Sequence, residues 1–353
     1  MKLCFKQQYG FSIVELMVAM LIGLILMLGV TQLYVSSKQT ARTNTALARV
    51  QETGRFAIET LSYSIRNAGY KGNCISLAQY RAFPLDSADN RLNINVPITV
   101  YKSGTTYLKG DQQVEGSDGL LVNYTMPGVT YYGVETNAMK GVIKTGEAPS
   151  AKLAKGINNY SKSSPLIVSS SAGCDVFVNG ADKGSYEFYQ YGKESESRWS
   201  NDYRIYFDVL PLVSEYYYIA VNSEGNPALF RDEYKVIDNS LVTERQELLE
   251  GVVELKMEYG IDENRDRIID RYVSLDDMKQ PADWGNVVAV RVYMVVTGDK
   301  NTVDENITLK LPVDIFPDKD NNFFKVVNGA LTVKDKRMAQ VFISTIAIRN
   351  KLP

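Results

Sequence analysis

No histidine occurs anywhere in the 353 residues. Its absence removes the commonest general base and the commonest zinc ligand together, and it makes a Ser–His triad impossible. No phosphate-binding glycine loop and no Cys-x-x-Cys occur either, so the sequence gives no reason to expect an enzyme. Basic excess is also lacking. Lys and Arg number 39 against 41 Asp and Glu, a net charge of -2, which argues against direct nucleic-acid binding. Proline is missing before Pro84, so nothing of that kind interrupts a helix in the first fifth of the chain. Cysteine is limited to Cys4, Cys74 and Cys174.

What is present suffices for a packed protein of one or two domains: 45% hydrophobic residues, 23% charged residues and 23 tyrosines. The N-terminus is the most informative stretch. Lys2 and Lys6 are the only charges before Gly10, and Phe11–Val30 is apolar apart from Ser12 and Glu15. About 20 residues at 1.5 Å per residue span a bilayer core. The two lysines place residues 1–10 on the cytoplasmic side and the bulk of the chain outside it. An uncleaved signal anchor would satisfy this pattern, but it leaves Glu15 unexplained. A carboxylate at membrane depth is costly, about 2.5–3.5 kcal/mol on insertion scales, and needs a cation. Cleavage after Gly10 would create an α-amine on Phe11, one helical turn from Glu15. On a neighbouring subunit that amine pairs the carboxylate.

Cys4 leaves with residues 1–10, and the even pair Cys74 and Cys174 then lies outside the cytoplasm. A Cys74–Cys174 disulfide is expected, with two buried thiols as the alternative.

The sequence Gly10-Phe-Ser-Ile-Val-Glu15-Leu resembles the processing motif of type IV prepilins. The resemblance implies cleavage by prepilin peptidase after Gly10, N-methylation of Phe11, and inter-subunit pairing by Glu15. The stretches Ala48–Glu59 and Ser64–Tyr70 narrow it to PilW-type minor pilins, and more loosely to the J-type minor pseudopilins of type II secretion. The likeness is clear over residues 10–74, returns over roughly 248–349, and is not evident between. It implies a minor pilin that primes pilus assembly near the tip and supports piliation, twitching motility or DNA uptake. The alternatives are a secretion pseudopilin and a pilin-anchored adhesin or capture module. Implied partners are other minor pilins, the major pilin, the inner-membrane assembly platform and a tip adhesin. The expected location is the inner membrane with a periplasmic head, then the fibre.

Beyond the membrane run, Leu47, Val50, Gly54, Ala57, Ile58, Leu61, Ile65 and Ala68 recur at helical spacing. The helix is therefore expected to continue amphipathically over 31–70, ending near Asn67 with Gly69 as its cap. Residues 71–200 read as loop-rich with short strands, around Leu120–Tyr124 and Asp175–Val178. The Tyr131-Tyr132 and Tyr186–Tyr191 clusters read as cover for a thin β core or as contact surface. Over 201–353, strands are expected at Tyr203–Val209, Tyr216–Val221, 253–259, 288–296, 307–311 and 341–349. Those at 253–259 and 288–296 alternate as half-buried strands do. The expected fold is α+β: a long pilin-like helix packed on an antiparallel sheet.

One loop has the spacing of a calcium site. Asp262, Asn264, Asp266, the Ile268 carbonyl and Asp270 fall at alternate positions. Arg267 stands where that pattern wants glycine, and no glutamate closes it at Val273. The competing reading, which these departures favour, is a charged hairpin whose acids pair with Arg265, Arg267 and Arg271. Calcium is the only cofactor suggested.

Overall fold

The structure is a computed structural model that describes residues 12–74, 77–79, 90–102, 114, 116–132, 151–152, 157–171, 173–185, 187–188, 206–238, 240–264, 266, 268–278 and 282–350. One long helix, α1, runs Ile13–Asn67, 55 residues or about 80 Å. Ser12 caps it with extended backbone angles, the conformation an N-cap requires. The helix ends where glycine permits. Gly69 adopts φ +72° and donates its N–H to the Asn123 carbonyl at 2.9 Å.

Among the described residues the larger sheet has nine strands, organised by the 16-residue strand Tyr206–Val221. Near its start Val209 pairs with Val129 on one side and Val168 on the other. Near its end Tyr217 pairs with Leu120 and with Arg231. Two strands were expected in this stretch, at Tyr203–Val209 and Tyr216–Val221; residues 203–205 lie outside the described residues. Pro211, which cannot donate to a ladder, and the polar pair Ser214-Glu215 look like a break. The strand instead passes through Pro211 while its neighbours change.

A second, four-stranded antiparallel sheet runs in the order Arg271–Ser274, Val252–Ile261, Val287–Thr297, Ala339–Ala347. The half of α1 beyond Ala46 sits between the two sheets. Val50, Ala57, Leu61 and Ile65 share one core with Leu255, Met257, Val290 and Met294 of the small sheet. That core also takes Val122, Tyr217 and Ile219 of the large one. The other face of the small sheet is covered as well. Val253, Tyr293 and Val295 pack on Phe324, Leu331 and Val333, which belong to a further small sheet built from residues 308–333. The strand at 288–296 is therefore not half-buried, whereas over 255–259 the buried Leu255, Met257 and Tyr259 alternate with the partly exposed Lys256 and Glu258. A register shift between Val252 and Glu254 also breaks the simple alternation.

The 71–200 stretch contributes more ordered sheet than its composition suggests. Asp118–Thr125 and Gly173–Val178 are buried along their whole length. Strands covered on both faces lose the alternating signature. Tyr131 is a core residue, stacked on Phe207 and edge-on to Phe188. Of the Tyr186–Tyr191 cluster, the described Phe188 is buried, and the four tyrosine and glutamine positions at 186 and 189–191 lie outside the described residues.

Candidate functional site

The first half of α1 holds the acid that the sequence marks as a candidate for inter-subunit pairing. Every large apolar side chain from Ile13 to Val35 is at least half exposed, and the segment is apolar and long enough to cross a membrane. Glu15 sits in the first turn. Its Oε2 accepts the Ser12 backbone N–H at 3.1 Å, while Ser12 Oγ accepts from the Val14 N–H at 3.3 Å. This is a reciprocal capping box. Within one chain the carboxylate thus already holds a helix-start amide, placed where the helix dipole favours negative charge. Gly10 and Phe11, the expected processing residues, lie outside the described residues.

The second half of α1 is fixed to the head by an acid that sequence reading missed. Glu215, 3% exposed, projects from the long strand. Its Oε2 accepts from Ser64 Oγ of α1 at 2.9 Å, Tyr217 OH at 2.9 Å and Tyr124 OH at 3.1 Å. Its Oε1 accepts from Arg231 Nη1 at 3.0 Å. Burial and the Glu215 charge both push the Tyr124 and Tyr217 phenols well above their ordinary value, so they remain donors. The signal was faint: Ser64 is a hydroxyl on the buried stripe, between Leu61 and Ile65.

A second contact locks the helix on the small sheet. A Cβ at Gly54 would lie 2.1 Å from the Phe342 ring, so glycine is what lets this ring reach the helix axis. Beyond the helix, Cys74 and Cys174 are disulfide-bonded with their Cα atoms 5.5 Å apart. The bond joins the chain leaving α1 to the buried strand Gly173–Val178.

The Asp262–Asp270 loop turns its acids onto its own backbone. Asp266 Oδ1 accepts from the Ile268 N–H and Asn264 Oδ1 from the Asp266 N–H, both at 2.8 Å. Asp270 Oδ2 accepts from the Glu263 N–H at 2.7 Å. Arg271 pairs with Glu263 at 2.6 Å; Arg265 and Arg267 lie outside the described residues. Among the described residues no three acidic, cysteine or histidine side chains converge as a metal ion would require. The local bonding is that of a braced hairpin.

An anchoring apolar helix with an acid in its first turn, carrying a two-sheet head on its far half, is the layout of a pilin-like protein. Residues 5–31 match the family model of the prokaryotic N-terminal methylation motif, and residues 216–350 match that of Type IV Pilus-assembly protein W. No curated protein and no solved structure matches the chain. The two matches support a type IV pilus-related pilin. The second begins at Tyr216, one residue after the acid that holds α1, and spans most of the small sheet and its cover.

Proposed function

We propose that the chain is a minor pilin, cleaved after Gly10 and N-methylated on Phe11, which enters the type IV pilus near its tip and helps to prime assembly with other minor pilins. The observation that carries this reading is the exposed apolar half of α1, whose single acid stands within the first turn. Such a helix is satisfied in a bilayer or among like helices, and a buried acid there asks for a cation. The Phe11 amine of a neighbour supplies one. Before assembly the head lies on the periplasmic side of the inner membrane. The match to pilus-assembly protein W favours this reading over a secretion pseudopilin.

Glu15 has two roles to separate, capping its own helix and pairing a neighbour's amine. Glu15→Gln keeps an acceptor for the Ser12 N–H but has no charge. Both Glu15→Gln and Glu15→Ala are expected to be inserted and cleaved, seen as the loss of residues 1–10 by mass spectrometry, and to be absent from sheared fibres. If Glu15→Gln enters fibres as wild type does, capping alone is required and the charge pairing is wrong.

A further inference from the structure

A crevice of about 610 Å³ lies between α1 and the turn that follows strand Val287–Thr297. It is lined by Lys38, Arg42 and Arg49 of the helix and by Asp299, Lys300 and Thr302 of the turn. Four cations face one carboxylate. Two of the cations are committed: Arg49 to Asp299 at 2.9 Å, and Lys300 to Asp335 at 3.3 Å. Lys38 and Arg42 have no acidic partner among the described residues. They stand four residues apart on one helix face, where like charges repel. An anion seated between them removes that penalty.

The turn is a built wall. The Asn301 N–H donates to the Asp335 carbonyl at 2.9 Å, the Thr302 N–H to the Lys336 carbonyl at 3.0 Å, and Arg337 Nη1 to the Gly298 carbonyl at 3.0 Å. Thr43 Oγ1 donates to the Thr302 carbonyl at 3.2 Å, which fixes the turn to the helix.

Its height along α1 indicates the ligand. After the apolar run ends at Val30 and Thr31-Gln32 interrupt it, the exposed Leu33, Tyr34 and Val35 extend the apolar surface into the membrane interface, where tyrosine is favoured. At 1.5 Å per residue, Lys38 stands about 5 Å and Arg42 about 10 Å beyond Val35. The headgroup layer is about 5–8 Å thick on each side of the hydrocarbon, and long basic side chains reach back toward it. Lys38 therefore stands at phosphate level and Arg42 just beyond it, its side chain long enough to reach back, and a guanidinium takes phosphate oxygens in a two-pronged contact.

We propose that this crevice binds the phosphate of an anionic phospholipid and seats the head on the outer surface of the membrane before the subunit leaves it. The proposal rests on the membrane-anchored reading of α1 and not on entry into a fibre. Insertion is checked first, by recovery of the chain in the membrane fraction after carbonate washing, so that loss of anchoring is distinguished from loss of lipid binding. The full chain, held in a neutral detergent, is then titrated calorimetrically with short-chain phosphatidylglycerol, short-chain phosphatidylcholine and inorganic phosphate. Phosphatidylglycerol is expected to bind saturably, more tightly than the other two. Lys38→Gln with Arg42→Gln is expected to weaken it by roughly tenfold or more, at about one unit charge lost per residue, with an unchanged circular dichroism spectrum. Equal response to the two lipids, or no effect of the double variant, would overturn the proposal. Phosphate binding as tightly as phosphatidylglycerol would also overturn it, in favour of a free anion. So would failure of both lipids together with cross-linking from Arg42 to an acidic residue of another pilin.

Discussion

Glu215 is the residue on which the helix and the head depend together. Its two oxygens accept four side-chain donors from three elements and a helix. Removing one partner of a buried charged cluster leaves the rest uncompensated, at about 3–5 kcal/mol. Glu215→Ala is expected to lose that much in chemical denaturation, more than Ser64→Ala, which removes a single neutral donor worth about 1 kcal/mol. Glu254 sets a different problem. It is fully buried, its Oε2 accepts from Lys319 at 3.1 Å, and its Oε1 has no partner. Burial holds its carboxyl above the ordinary value of 4.5, with Lys319 and Lys256 pulling the other way. The folded chain therefore binds this proton more tightly than the unfolded chain does. The resulting stability is fully present below the ordinary value and is lost as pH rises through the raised one. Unfolding free energies measured from pH 4.5 toward neutral are expected to fall through this group, and Glu254→Gln is expected to flatten the slope. A variant with the wild-type slope would show that Glu254 is ionised at little cost.

At the level of elements, α1 was the most readable and the long strand the least. The helical stripe from Leu47 to Ala68 follows from spacing, and the helix end from one glycine, although Ala68 takes the cap position and Gly69 the positive-φ position after it. The membrane half follows from hydropathy. The strand Tyr206–Val221 did not, because proline and a buried acid lie in its middle and local rules count both as breaks. What overrides them is tertiary: a change of neighbours at Pro211 and four donors waiting for Glu215. Burial on both faces likewise makes 288–296 a fully covered strand where its alternating sequence suggested a half-buried one. Gly54 was seen as part of the stripe, but its reason was not, since Phe342 lies 288 positions away. Gly54→Ala would gain about 1 kcal/mol in helix propensity and lose about 1–3 kcal/mol to overpacking against that ring. A net loss is expected. In a double-mutant cycle with Phe342→Leu, the coupling is expected to exceed about 0.5 kcal/mol. Additive effects would mean that the ring moves aside freely.

For the whole molecule, the Cys74–Cys174 bond closes a loop across 100 residues of sequence. On the chain-entropy model such a closure is worth about 4–5 kcal/mol. The bond encloses much of the region least readable from sequence, including the fully buried strand Asp118–Thr125. Cys74→Ser with Cys174→Ser is expected to lower the unfolding midpoint by a corresponding amount while keeping α1 and the small sheet, which lie outside the loop. If the double variant unfolds at the wild-type midpoint, the region is held by packing alone. The N-terminal motif is legible in the sequence, where residues 5–31 match the methylation-motif model, because its pattern is local. The head's own contacts bring together residues far apart in the chain, and no short motif records them.

Besides its buried stripe, the helix meets the head through Thr43 on the Thr302 carbonyl, Arg49 on Asp299, Gly54 under Phe342 and Ser64 on Glu215, and just past its end through the Gly69 N–H on the Asn123 carbonyl. The first three belong to the small sheet or the turn that follows its strand Val287–Thr297, and the last two to the large one. A tensile load entering through the N-terminal half of α1 therefore reaches both sheets at once. Detaching the helix means breaking these attachments together, a shear geometry in which force is shared and not passed from one bond to the next. Within the proposed fibre, such a division of the load would give the subunit mechanical strength that no one of these contacts supplies.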